Sequence, residues 1–367
     1  MVPNLRFSSF ADPFRIYTLK EVLQRISFPV TVDENKLYYQ IGIRSHSKGI
    51  FYKEAEIGKQ IGNKRIFWIE PNCLILNIVF AWEQAVAKTS EKEVGMVASH
   101  RFPMYKVLNN SLDYIVDFFK TEKGKQLLQM ASPGGAGRNK TLNQDFFLNS
   151  KIYLPSLNEQ LKTSELIELI EDRIETQIKI IEDYKALKKK ISKQVIGSQK
   201  PNTHIYECLE NNSSSSKESD FDEYTEGQFP IYGANGVIKH INSYLIDIPS
   251  ISIVKDGAGV GRTRFLYGKY TVIGTLNYLT SKNGYNLLYL YYALDNLDFT
   301  KYIVGSGIPH IYFKDYKHEM IYIPKDEKTI NKIVRCLSSL DLLIHNEQNL
   351  LLYLTKQKEY LLNNMFI

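Results

Sequence analysis

Three cysteines, Cys73, Cys208 and Cys336, stand far apart with no second Cys or His at metal-ligand spacing, and the seven His are equally scattered. Buried apolar thiols and no metal site are the expectation. Asp326-Glu327-Lys328 has the residue types that hold Mg²⁺ at a scissile phosphate. It opens a long helical pattern, however, where the helix dipole alone favours acids. Gly257-Ala258-Gly259-Val260-Gly261 would bind a dinucleotide or S-adenosylmethionine only inside a strand-to-helix unit with a downstream acid, and none is legible around it. An adenine methyltransferase acting alone needs Asn or Asp followed by Pro-Pro and an aromatic to hold the flipped base. The sequence has no Pro-Pro dipeptide. No catalytic residue, metal or cofactor is expected on this chain.

The chemistry that the residues do offer is recognition of a polyanion. Reading DNA takes Lys and Arg for phosphates and fork-shaped or amide side chains for base edges, on turns held by a scaffold. Arg44-Ser45-His46-Ser47-Lys48, followed by Gly49, is such a turn; Asn63-Lys64-Arg65, Ser99-His100-Arg101 and Arg138-Asn139-Lys140 are others. The last follows a glycine turn whose amides suit a phosphate. Downstream, Lys239-His240, Lys255, Arg262-Thr263-Arg264 and Lys269 are the counterparts. A net charge of +6 over 367 residues favours a nucleic acid or an anionic surface without deciding between them.

These turns need a frame, and the frame is written twice. Lys151-Ile152-Tyr153-Leu154-Pro155 and Met320-Ile321-Tyr322-Ile323-Pro324 each precede a long helical pattern. Tyr153 and Tyr322 are 169 positions apart (322 minus 153), as are Tyr184 and Tyr353. A glycine turn stands upstream of each, Gly134-Gly135-Ala136-Gly137 and Gly305-Ser306-Gly307. The blocks before them carry β-branched and aromatic strands at 65–69, 74–80, 250–254 and 270–273, with helices at 112–129 and 287–294. The polar stretch 210–220 reads as an exposed loop of the second block. The fold class is α+β: two mixed blocks, 1–155 and 200–324, separated by two long helices, 156–199 and 325–367.

Both helices carry an apolar seam at alternating steps of three and four. In the first it runs Ile167, Ile170, Ile174, Gln177, Ile181, Tyr184, Lys188, Ile191, Val195; in the second, Ile333, Cys336, Leu340, Leu343, Glu347, Leu350, Leu354, Gln357, Leu361. At about 1.5 Å per residue, forty positions span roughly 60 Å, more than a block of that size covers. The two helices are expected to bury their seams on each other as an antiparallel coiled coil. No run of eighteen apolar residues occurs, and the first ten residues lack a basic region followed by an apolar stretch. A soluble cytoplasmic protein is the expectation.

The duplicated plan, with Leu154-Pro155-Ser156-Leu157-Asn158-Glu159-Gln160 opening the first helix, resembles the specificity subunits of type I restriction-modification systems. Pro230-Ile231-Tyr232-Gly233-Ala234-Asn235-Gly236, residues 255–262 and residues 132–140 share that resemblance. It implies two target-recognition domains, each reading one half of a bipartite, asymmetric site on double-stranded DNA. It also implies that the helices dock two methyltransferase subunits, with restriction subunits joining the assembly, and that S-adenosylmethionine, ATP and Mg²⁺ belong to those partners. Glu159, Gln160, Ile170, Ile174, Ile181, Leu340 and Leu354 are the expected docking residues. The second copy departs from the pattern, with Lys328-Thr329 where the first has Glu159-Gln160. Two other readings are a stand-alone DNA-binding protein and a coiled-coil adaptor with no DNA role, the latter leaving the basic, Gly-rich blocks without a purpose.

Overall fold

Two short strands clasp each block at the foot of its long helix. The computed structural model describes residues 2–134, 140–221, 227–282 and 284–367. The chain divides into two units, Met1–Ile178 with Leu350–Ile367, and Lys179–Asn349. In the first unit Arg15–Thr18 pairs antiparallel with Lys151–Leu154, Ile16 opposite Tyr153. The single-turn helix Leu19–Val22 follows, its Leu19 and Val22 fully buried, and leads into the strand Leu23–Ile26. In the second unit Thr203–His204 pairs antiparallel with Met320–Ile321, the turn helix Ile205–Cys208 follows, and the strand Leu209–Ser213 begins.

Each of those strands edges a four-stranded antiparallel sheet. In the first unit the order is Leu23–Ile26, Met104–Val107, Leu74–Leu76, Val86–Lys88; in the second, Leu209–Ser213, Leu276–Ser281, Ser250–Val254, Thr263–Leu266. Residues 210–213, expected in a loop, are therefore a strand. Asn, Glu and Ser are poor strand formers, but a ready-made ladder partner outweighs intrinsic preference. The expected helix 112–129 is two helices, Leu112–Lys120 and Glu122–Met130, broken at Thr121, whose side chain accepts from the Gly124 amide. Equivalent caps start the helices behind each sheet: Ser111 accepts from Tyr114, and Asn286 from Tyr289. Both tyrosine rings are core residues. Phe147 and Tyr316, each six positions before the Tyr of a Tyr-x-Pro element, are fully buried. The duplication thus extends to caps, clasps and core aromatics.

The glycines at 257, 259 and 261 belong to the tight connection between the antiparallel strands Ser250–Val254 and Thr263–Leu266. Their φ values of 86°, 87° and 85° are left-handed and suit glycine alone. A hairpin turn, not a strand-to-helix phosphate loop, accounts for them.

The long helices are Leu157–Ser192, ending in one wide turn at Lys193–Gly197, and Glu327–Met365. In each unit the opening part of one lies beside the closing part of the other, so the stretches that share a unit meet in antiparallel sense. Glu171 pairs with Lys358 at 2.7 Å in the first unit, and Lys188 with Asp341 at 2.6 Å in the second. The first helix buries or half-buries every expected seam position from Ile167 to Val195. In the second helix the seam is Leu337, Leu340, Ile344, Glu347, Leu351, Leu354, Lys358, Leu361 and Met365. Cys336, Leu343, Leu350 and Gln357 face outward, so these four expected positions are corrected by one residue. Runs such as Leu342-Leu343-Ile344 and Leu350-Leu351-Leu352 satisfy a three-four rhythm in either register, and only packing separates them. Tyr353 accordingly is 66 % exposed while Tyr184 is half-buried, and their common offset does not mark equivalent seam sites.

The first unit's core gathers Leu74, Tyr105, Tyr114, Phe119, Phe147 and Ile167 with Leu361, Leu362, Met365 and Phe366 from the end of the second helix. The rings of Tyr114 and Phe366 lie 4.6 Å apart. The second unit's core packs Ile251, Ile253, Leu279, Tyr289, Tyr292 and Leu337.

Leu337→Ala empties a fully buried seam site and is expected to destabilise the protein by about 2–5 kcal/mol. Cys336→Ala, one position away and exposed, should change it by less than about 0.5 kcal/mol. Urea denaturation of both variants checks the register; equal losses would contradict it.

Candidate nucleic-acid interface

In the first unit the turn 44–49 caps the hairpin Ile41–Ile43 and Ile50–Tyr52. His46 and Ser47 take left-handed φ of 59° and 54°, a conformation that costs non-glycine residues roughly 1–2 kcal/mol. Backbone bonds hold it: His46 donates to the Glu83 carbonyl and Ser47 to that of Gln84. Arg44, His46 and Lys48 are exposed, Arg44 lying 5.3 Å over the Phe51 ring.

A second cluster sits where Ile66–Trp68 pairs with Val97–Ser99. Ser99 opposes Ile66, and His100 donates to the Arg65 carbonyl. Arg65 and His100 are thereby brought together, with Arg101 next in the chain and Lys64 exposed beside them. Arg65, His100 and Arg25 line a cleft of about 250 Å³ with the Gln144 amide. Sequence reasoning passed over Arg25 and Gln144. Arg25 is exposed on an edge strand, and no local signal marks it, because its partners are brought to it by distant strands. Lys140 is half-buried, 5.1 Å over Trp82. Residues 135–139, and with them the expected contacts Arg138 and Asn139, lie outside the described residues.

In the second unit Lys255 and Arg262 flank the glycine turn, and Val254 donates to the Arg262 carbonyl. A Cβ on Gly259 would stand 2.9 Å from the Arg262 guanidinium, so glycine lets that side chain fold over the turn. Arg264 is half-buried, with its guanidinium 3.7 Å from where a Cβ of Gly236 would be. The hairpin Phe229–Gly233 and Gly236–Ile241 thus meets the Thr263–Leu266 strand at these two residues. Lys239 lies on that hairpin, donating to the Phe221 carbonyl. Lys269 stacks 4.6 Å over Tyr244. Arg44 and Lys48 remain on a hairpin tip of their own.

Two expected docking residues turn inward. Glu159 is 3 % exposed and takes both nitrogens of Arg6 at 2.7 Å; that bond raises the Arg6 pKa above its usual value. Gln160, 1 % exposed, accepts from the Ser111 amide at 2.9 Å and donates to Asn110 and to the Pro155 carbonyl. Their polar atoms serve the foot of the helix. Ile170, Ile174, Ile181, Leu340 and Leu354 are buried or half-buried at seam positions, Ile170 against the first unit's core. Among the apolar residues that do stand outward on the helices are Leu161, Leu169 and Tyr360 in the first unit and Leu187 and Leu342 in the second. A Leu or Tyr between charged residues reads as ordinary helix surface, so sequence alone did not single them out.

Behind the first unit's helices lies a charged network. Lys120 bridges Asp117 and Glu171, each at 2.9 Å, and Lys358 joins Glu171. Burial pushes the Asp117 carboxyl up to about 6 against the pull of Lys120. No group of three metal-ligating side chains occurs among the described residues, and no helix there is long and apolar enough to cross a membrane.

Comparison with known proteins closes the description. A protein-family model for the type I restriction modification DNA specificity domain matches residues 203–361. The structure is similar to a type I restriction-modification system S subunit from M. genitalium, with a TM-score of 0.67 at 15 % identity over 100 % of this chain and 99 % of that one. It is also similar to a chain solved for the structural basis of complex assembly and conformational transition of the type I R-M system, with a TM-score of 0.60 at 15 % identity over 97 % and 98 %. No curated protein sequence matches.

Gln160→Ala strips three buried partners at once and is expected to cost about 1–3 kcal/mol of stability, read by thermal or urea unfolding; an unchanged midpoint would assign the residue to the surface instead. Asp117 gives a pH signature. A carboxyl raised above the unfolded value of about 3.9 binds more protons when folded, so its contribution is present at low pH and fades as pH rises through about 6. The stability advantage of the native chain over Asp117→Asn should therefore shrink between pH 4 and 7. Urea midpoints across that range that run parallel would refute it.

Proposed function

We propose, from the match of residues 203–361 to the model of the type I restriction modification DNA specificity domain and the likeness of the whole chain's fold to an S subunit, that this chain selects the DNA target of a type I restriction-modification complex. Each unit reads one half of a bipartite, asymmetric site on double-stranded DNA. The observation that carries this reading is the duplicated frame: clasp, turn helix, four-stranded sheet and capped helix occur in both units, while the exposed side chains on their turns differ. Equal frames with unequal contacts suit a site of two dissimilar halves.

Phosphate contacts come from Arg44, Lys48, Lys64, Arg65 and Arg101 in one unit and Lys255 and Arg262 in the other. Lysine and arginine on turns position the duplex, and side chains in the groove specify sequence. His46, Arg138, Asn139, Lys140, Lys239 and Arg264 belong to the same contact set. The chain performs no chemistry itself: methyltransferase subunits, which bind S-adenosylmethionine, and restriction subunits, which use ATP and Mg²⁺, supply it in the cytoplasm. Two methyltransferase subunits dock on the outward faces of the helices, where Leu161, Leu169, Leu342 and Tyr360 offer apolar contacts.

Full-length protein should bind a random-sequence duplex with an affinity that falls steeply between about 50 and 200 mM salt, as phosphate neutralisation releases counterions. Cells making it with its methyltransferase partner should carry methylated adenines at two short motifs a fixed gap apart. Salt-insensitive or absent DNA binding would favour the coiled-coil adaptor.

A further inference from the structure

The second unit has a cleft of which the readings above use Lys255 alone. It opens beside the glycine turn, between the polar ends of Leu209–Ser213 and Leu276–Ser281 and the segment 310–317, and encloses about 630 Å³. The segment is fixed to the turn by backbone bonds from Ile311 to the Lys255 carbonyl and from Gly257 to the Pro309 carbonyl. Register places Ser213 opposite Asn277 and Asn211 opposite Leu279, on the face that also carries Ile251 and Ile253. The apolar core face therefore ends in a small polar floor.

Two features of that floor and its rim call for a ligand. Asn277 is 7 % exposed and lines the cleft, with no hydrogen bond to its side chain among the described residues. Asn211 lines it too, and its Oδ1 is buried without a partner. Buried polar atoms are ordinarily satisfied, so Asn211 Oδ1, with the Asn277 amide beside it, points to a group that arrives from outside. Around them stand Lys255, Lys314 and Lys317, none with a carboxylate partner among the described residues. The carboxylate that shares the cleft, Asp256, is taken by His310 at 2.7 Å. Three lysines against the single carboxylate of Asp256 leave the cleft lining with an excess of positive charge, which favours an anion. Tyr312, 47 % exposed, stands at the edge with its ring stacked on His310 and the Lys314 ammonium 5.4 Å over it.

We infer that this cleft seats a segment of a DNA strand, phosphates on Lys255, Lys314 and Lys317 and a base or sugar edge toward Asn211 and Asn277. An acidic peptide would satisfy the lysines but would have less use for two buried amides and an aromatic face, the combination by which proteins hold a nucleotide. The inference rests on the DNA reading proposed above and adds Asn211, Asn277, Lys314 and Lys317 to it.

The test uses the full chain and fluorescence anisotropy with a random-sequence duplex over a salt series. Lys314→Gln with Lys317→Gln should weaken binding about tenfold at moderate salt and make the dependence of log affinity on log salt shallower by roughly 1–2, because each lost phosphate contact removes about 0.9 from that slope. Lys190→Gln with Lys332→Gln, an equal charge change on exposed helix faces, should leave the slope within a few tenths. Asn211→Asp, nearly isosteric, should weaken binding at all salt concentrations. Wild-type binding with unaltered cleft variants overturns this inference alone, as does a loss matched by the helix variants. Cleft variants that bind DNA normally but no longer capture methyltransferase would mark a protein-docking cleft and overturn it too. Absence of salt-dependent binding by the wild type would instead overturn the DNA reading beneath it.

Discussion

Burial of a narrow apolar seam is the constraint on which the rest of the structure depends. Helices of 36 and 39 residues draw little stability from propensity alone and rely on packing. Their seams repeat every 3.5 residues and are closed by residues of the same chain. Apolar contacts of this kind are forgiving of register, as the consecutive leucines of the second helix illustrate. The polar members are less forgiving. Lys188 reaches Asp341, which also accepts from the Tyr292 hydroxyl, and stacks 5.1 Å over the Tyr292 ring; a slip by one residue would strand that ammonium in a half-buried site. Ion pairs here contribute more to alignment than to net stability.

The clasp strands convert helix position into turn position. The strand before each long helix pairs with the strand that opens the unit, and a turn helix then passes the chain straight into the edge of the sheet. Glu159 and Gln160 reinforce this in the first unit by tying Arg6, Ser111, Asn110 and Pro155 to the helix foot. The second copy has Lys328 and Thr329 there, and instead uses Asn202, which exchanges two hydrogen bonds with the backbone of Ile323, and Asp326, whose side chain caps Thr329. One frame is thus stabilised by different residues in its two versions.

Much of the frame is legible in the residues because its signals are local. Tyr-x-Pro before a helix, the glycine turn upstream of it, and three-four apolar steps all report on neighbours close in the chain. The strand at 209–213 was not legible, since its polar residues owe their conformation to a partner nearly seventy positions away. The candidate interface is legible as residue types and illegible as an arrangement. Arg65 and His100 can be picked out as basic turn residues, but their meeting depends on the pairing of Ser99 with Ile66. The inward turn of Glu159 and Gln160 was equally hidden, because a helix-opening Glu-Gln looks the same whether it faces a partner protein or an arginine of its own amino-terminal segment.

The placement of Leu361, Leu362, Met365 and Phe366 inside the first unit's core bears on how the chain matures. Some 190 residues separate them from Ile167 in the same cluster. At ribosomal speeds of about 5–20 residues per second, that interval is roughly 10–40 s. During it the amino-terminal block waits with a hydrophobic gap beside Tyr114, and the last residue of the second unit, Asn349, is made before the residues that fill that gap. The order of completion is therefore the reverse of the order of synthesis, and the nascent first block is the part with most need of a chaperone.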